Sequence, residues 1–124
     1  MIMPAWLLLL WSGLAAACAA ALIAPVIGGV PVASWSLAPL PRSRTHGALW
    51  SFAAGLLVYP VLYGVVFELL HRADLRTGLL LGAVHGAVMF VLVRRRRGSG
   101  RAGLRTAAAH LVYGAVLAFL YVTP

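Results

Sequence analysis

The sequence predicts an all-α fold: an integral membrane bundle of four transmembrane helices, with both termini on the non-cytoplasmic side. Three observations predict it. Of 124 residues, 63% are hydrophobic and only 10% charged, against about 25% charged in an ordinary soluble domain. The apolar residues gather into four runs, each near the roughly 20 residues that a helix needs to bridge a hydrocarbon layer. Ten basic residues, all arginine, stand against two acidic ones for a formal net charge of +8, and nine of the ten arginines fall between the runs. Helices are the expected element, because isolated strands leave backbone groups unpaired in lipid. Barrel strands would alternate apolar and polar residues, which these runs do not.

The runs divide one transmembrane domain, residues 1–124, into helices at about 4–27, 48–70, 77–93 and 104–122, with an interfacial segment over 28–47. In the first run, Leu14-Ala15-Ala16-Ala17-Cys18 has a faint likeness to a lipoprotein cleavage site. No positive charge precedes Trp6, as the basic start of a signal peptide would, so a retained first helix is expected, with Cys18 a small buried hydrophobe. It should break near Pro25, where a backbone donor is lost. Gly28, Gly29, Pro31, Pro39 and Pro41 follow, too broken to span again. Trp35 would anchor that segment at the interface, as Trp6, Trp11 and Trp50 would near other helix ends.

In the second run Gly55, Tyr59 and Tyr63 share a face, and Pro60 predicts a kink. In the third, Gly78, Gly82 and Gly86 recur every four residues, a packing code that lets a neighbouring backbone approach. In the fourth, His110, Tyr113, Gly114, Leu117 and Tyr121 form one stripe, expected to face the other two inside the bundle.

The arginines set the orientation. Arg42, Arg44, Arg94, Arg95, Arg96, Arg97, Arg101 and Arg105 lie on one side, Arg72 and Arg76 on the other. Eight against two puts the arginine-rich links in the cytoplasm of a bacterial-type inner membrane. The Arg94–Arg97 run is also a candidate contact for anionic lipid headgroups, worth about 1 kcal/mol per charge, or for another membrane subunit. Nucleic acid is not expected, since no aromatic platform accompanies the charge.

Ionisable residues inside a membrane are functional candidates by default. His85 sits midway along the third run, with Met89 one turn on, and His110 sits towards the arginine-rich end of the fourth. If both point inward they are candidate ligands for a metal, a haem or a chlorophyll. The different depths weigh against one shared site, and the plainer expectation is imidazoles hydrogen-bonded across the bundle, with no cofactor. Glu68 and His71, at the end of the second run, are expected to pair locally with Arg72 or Arg76. His46 is expected to be interfacial. No phosphate loop, Ser/His/Asp set, paired carboxylates or His-Glu-x-x-His motif is present, so an enzyme is not expected.

Three stretches, Leu62-Tyr63-Gly64-Val65-Val66-Phe67, Gly82-Ala83-Val84-His85-Gly86 and His110-Leu111-Val112-Tyr113-Gly114-Ala115-Val116, resemble an uncharacterised family of small four-helix bacterial and archaeal membrane proteins. That family carries Gly-x-x-x-His in its third helix and His-Leu-Val-Tyr-Gly in its fourth. Here Gly82 precedes His85 by three residues rather than four, and a histidine expected in the second helix is replaced near Tyr59 and Pro60. The resemblance implies the four-helix architecture and draws attention to His85 and His110. Two functions are expected: a non-catalytic structural or accessory subunit of a larger respiratory or photosynthetic membrane complex, or a haem-, chlorophyll- or metal-binding or transport bundle using His85 and His110.

Overall fold

The computed structural model describes residues 5–26, 49–50 and 53–122. Four helices carry the chain and no strand occurs among the described residues. They are α1 (Ala5–Val26), α2 (Tyr59–Leu70), α3 (Leu75–Arg97) and α4 (Gly100–Val122). A π-helical turn over Ala54–Val58 runs directly into α2. Helices α1, α3 and α4 are long and apolar enough to cross a membrane. At 22, 23 and 23 residues they measure about 33–34 Å. The apolar stretch Ala54–Leu70 is shorter. The expected interfacial segment over 28–47, with Trp35, Arg42, Arg44 and His46, lies outside the described residues.

Helix ends differ from the sequence expectation for local reasons. Helix α1 ends at Val26, one residue beyond Pro25. Helix α3 starts at Leu75 rather than 77 because Asp74 caps it, its Oδ1 accepting the Thr77 N–H at 2.7 Å. It continues past 93 through Arg97, since arginine is a good helix former and cations suit a helix C-terminus. Gly98, at φ 65°, closes it, its N–H reaching the Arg94 carbonyl at 2.8 Å. A left-handed residue there costs glycine little. Helix α4 begins at Gly100 rather than 104, with Ser99 Oγ accepting the Ala102 N–H at 3.2 Å.

Helices α3 and α4 form an antiparallel hairpin joined by Gly98 and Ser99, and theirs is the most extensive contact in the molecule. Its seam is the glycine row. A Cβ on Gly78 would meet Ala118 Cβ and the Gly114 carbonyl, and one on Gly82 would stand 2.6 Å from the His110 carbonyl. One on Gly86 would lie 2.8 Å from the Ala107 carbonyl. From the facing helix, a Cβ on Gly114 would sit 2.9 Å from Gly82 Cα. Backbone thus meets backbone along the row, where any side chain would separate the helices.

Helix α1 packs on α4 and on the π turn. Its buried face is made of small residues, Ser12, Gly13, Ala16, Ala17 and Ala20. Cys18 lies off that face and is exposed, so the expected buried position is corrected by helical phase: residues 12, 13, 16, 17 and 20 share a stripe that 18 does not. A Cβ on Gly13 would collide with the Pro60 ring and stand 3.2 Å from the Leu56 carbonyl. The kink expected at Pro60 therefore takes the form of a π turn on which α1 closes directly. Trp6, Trp11 and Trp50 are all exposed.

Candidate functional site

Helices α3 and α4 bring two residues together. His85 and His110 are each the eleventh residue of a 23-residue helix, and because α3 and α4 are antiparallel they stand at one level. Their ring centroids are 4.3 Å apart, with planes at 65°. The expected difference in depth is thereby corrected: starting the fourth helix at residue 104 had placed His110 only two turns from its end.

Three tyrosines surround His85. Tyr59 lies against His85 at a centroid distance of 4.2 Å, and Tyr63 and Tyr113 each stand at 6.3 Å in edge-to-face geometry. Tyr63 and Tyr113 meet edge-on at 5.7 Å. Tyr63, Tyr113 and His110 are buried. Quadrupolar edge-to-face contacts of this kind add about 0.5–1.5 kcal/mol each beyond the area they bury, and they fix ring orientations that apolar packing alone would leave loose.

Hydrogen bonds then settle which ring atoms point where. His110 Nδ1 lies 2.7 Å from the Thr106 carbonyl one turn back. A carbonyl only accepts, so Nδ1 carries the proton and the lone pair of the neutral ring sits on Nε2. His85 Nδ1 meets the Tyr63 hydroxyl at 3.5 Å, while His85 Nε2 is buried with no protein partner. Burying such an atom unsatisfied costs about 1–3 kcal/mol.

Tyr113 is held by a carbonyl that proline leaves vacant. In the π turn the Tyr59 N–H reaches back five residues to the Ala54 carbonyl. The next donor in that register would be residue 60, which is proline and has no N–H. The Gly55 carbonyl takes the Tyr113 hydroxyl at 2.5 Å instead. The bond ties α4 to the π turn and positions the Tyr113 ring edge-on to His85.

Outside this cluster, Gly64 packs on the Leu9 side chain. Glu68 is exposed and accepts the Tyr121 hydroxyl at 3.3 Å, and Tyr121 stacks on Phe67 at 5.6 Å. His71 adopts the left-handed conformation, φ 49°, and ends α2. Asp74, which caps α3, has its carboxyl held below the usual carboxylate value, first by the Thr77 amide hydrogen bond and further by Arg72 and Arg76. Arg94, Arg95 and Arg96 are exposed in the last turn of α3, where steps of about 100° per residue fan them around the axis. Arg97 belongs to the same turn, its side chain outside the description.

Chemically, the central cluster is two imidazoles, three phenols and no carboxylate. Among the described residues no group of three or more His, Cys, Asp or Glu could hold a metal ion. A tetrapyrrole between the histidines does not fit, because the two rings touch each other. Sequence reasoning singled out His85 and His110 but missed Thr106 and Gly13. Thr106 carries its signal only as the residue one turn before a histidine, and Gly13 carries none, since its partner Pro60 is on another helix.

No family model, curated protein or solved structure matches this chain.

Proposed function

We propose that this chain is a small integral membrane protein that holds a small ligand at mid-membrane between α3 and α4. The supporting observation is the unpartnered, buried His85 Nε2, on an imidazole whose ring centroid lies 4.3 Å from that of His110. An atom of this kind, in a setting otherwise closed by aromatic rings, is stabilised by a partner that the protein itself does not supply. Three long apolar helices support membrane insertion. The eight-to-two distribution of arginines supports a cytoplasmic α3–α4 link with both termini on the opposite side of a bacterial-type inner membrane. In that setting the Arg94, Arg95 and Arg96 side chains reach the headgroup layer, and the Arg94–Arg97 run attracts anionic lipids. The glycine row belongs to the bundle itself in this reading, and is not the face offered to partners.

The test is purification in mild detergent of the wild type and of His85→Gln and His110→Gln variants, followed by native mass spectrometry, elemental analysis and absorption spectroscopy. The reading expects a bound species in the wild type that is lost in both variants. A ligand-free wild type indistinguishable from its variants contradicts it.

A second reading, an accessory subunit of a larger membrane complex, is favoured by one feature. Leu7, Leu10, Trp11, Leu14, Leu56 and Leu57 line an open, almost wholly apolar groove of about 440 Å³ between α1 and the π turn. Such a groove suits a partner helix or a lipid chain. Co-purification with a large complex, abolished by Leu10→Trp but unaffected by His85→Gln, would support that reading.

A further inference from the structure

Resting on the membrane-insertion reading above, and on nothing at His85, we infer that the α3–α4 hairpin end is a docking surface for several anionic phospholipid headgroups at once, whose phosphates supply a counter-charge that the chain lacks there.

The two ends of α3 are charged very differently. Around its start, Arg72 and Arg76 stand with Glu68 and Asp74, two positive against two negative, and both arginines act on the Asp74 carboxylate. Around its end gather Arg94, Arg95, Arg96, Arg97, Arg101 and Arg105, while Glu68 and Asp74 are the only acidic residues in the whole chain. The 23 residues of α3 hold the two ends about 34 Å apart. That is several times the roughly 8 Å over which exposed charges act at physiological salt. Neutralisation at the hairpin end therefore has to come from outside the chain. Like charges three and four residues apart, Arg94 with Arg97 and Arg101 with Arg105, work against their own helices. Arg101 also stands in the first turn of α4, the end of a helix dipole that disfavours cations.

Depth and direction favour lipid headgroups over an acidic protein. Helix α3 ends at Arg97 and α4 starts at Gly100, so only Gly98 and Ser99 join them. At the helical rise, Arg94 lies about 4.5 Å along the axis from Arg97, and Arg105 about 7.5 Å from Gly100. Both spans match the roughly 5–8 Å depth of the headgroup layer on one side of a bilayer. Arg94, Arg95 and Arg101 are exposed, and steps of about 100° point successive α3 arginines in different directions. A protein partner would have to meet them on one face, whereas separate headgroups reach each from its own side. Nothing crowds the turn: among the described residues a Cβ on Gly98 or Gly100 would meet no heavy atom within 4 Å.

The experiment titrates lipid into the detergent-purified full chain and counts bound molecules by native mass spectrometry. More than one phosphatidylglycerol should bind in preference to phosphatidylcholine, and fewer as salt is raised. Arg95→Gln/Arg101→Gln takes one exposed charge from each helix and should weaken phosphatidylglycerol binding about 25-fold, about fivefold per charge. Arg72→Gln/Arg76→Gln, altered at the balanced end, should bind as the wild type does. So should His85→Gln, which separates this surface from the mid-membrane site. Unchanged helicity by circular dichroism shows that each variant is folded. Equal binding of the two lipids, equal loss in the two arginine pairs, or displacement of phosphatidylglycerol by inorganic phosphate at the same concentration overturns the headgroup assignment. An acidic protein retained through these arginines, with no preference between the lipids, overturns it as well. Flotation with phosphatidylcholine vesicles tests the premise. A chain that does not insert defeats the membrane reading and this inference together, and one that inserts without preferring phosphatidylglycerol defeats this inference alone.

Discussion

Pro60 and Tyr113 sit on different helices, yet one carbonyl joins them. Pro60 offers no N–H to Gly55, and the Tyr113 hydroxyl takes its place. Tyr113→Phe should therefore cost about 1–3 kcal/mol, the price of an unsatisfied buried acceptor. In a Pro60→Ala background the restored N–H can serve that carbonyl, so the same change should cost measurably less. A double-mutant cycle read by thermal or denaturant unfolding in detergent measures the difference, and additive effects would refute the linkage. Asp74 makes a separate prediction. Its folded carboxyl lies below the ordinary value, so its cap stabilises the protein above about pH 4. That contribution should fade only as pH falls through the lower folded value. Asp74→Asn, which keeps a capping oxygen without the charge, should flatten this part of the stability profile. At this scale the sequence marked the histidines as expensive residues in an apolar setting. It left their meeting hidden, because their levels depend on where α4 begins, and the Ser99 cap that sets this start is a weak local signal.

At the scale of elements, the α3–α4 hairpin depends on glycine wherever backbone meets backbone. Gly114→Ala should destabilise by about 1–3 kcal/mol, the range for an overpacked interior, because its Cβ would meet the Gly78 carbonyl and Gly82 Cα. Gly100→Ala, with nothing within 4 Å of its Cβ, should be neutral. Helical content against temperature checks both, and equal effects would show that the seam is not where it is placed. This seam was legible because a four-residue repeat is a periodic signal that survives without tertiary information. The π turn was not, since Pro60 announces a bend without specifying its form. The α1 stripe of Ser12, Gly13, Ala16, Ala17 and Ala20 was also missed, because in an alanine-rich run small residues occur on every face and phase is lost.

For the whole molecule, the proposed orientation rests on the arginines. Replacing Arg94, Arg95, Arg96, Arg97 and Arg101 by glutamine reduces eight against two to three against two. The account expects a uniform topology in the wild type and a mixture in this variant, read by reporter fusions at the C-terminus. A C-terminus found in the cytoplasm of the wild type would reverse the assignment. The all-helical architecture was readable from composition and run length. The grouping of α1 and α3 around α4 was not, because apolar faces look alike to lipid and to protein.

The account rests on α3 and α4 bringing His85 and His110 to one level inside the bundle. The most direct test is short-range thiol cross-linking of a His85→Cys/His110→Cys double variant in native membranes, with Cys18 replaced by serine and the product identified by mass spectrometry. The account predicts efficient intramolecular cross-linking for this pair and little for Val84→Cys/His110→Cys, since Val84 is exposed on the outer surface of α3. No cross-link in the first pair, or equal yields in both, would contradict it.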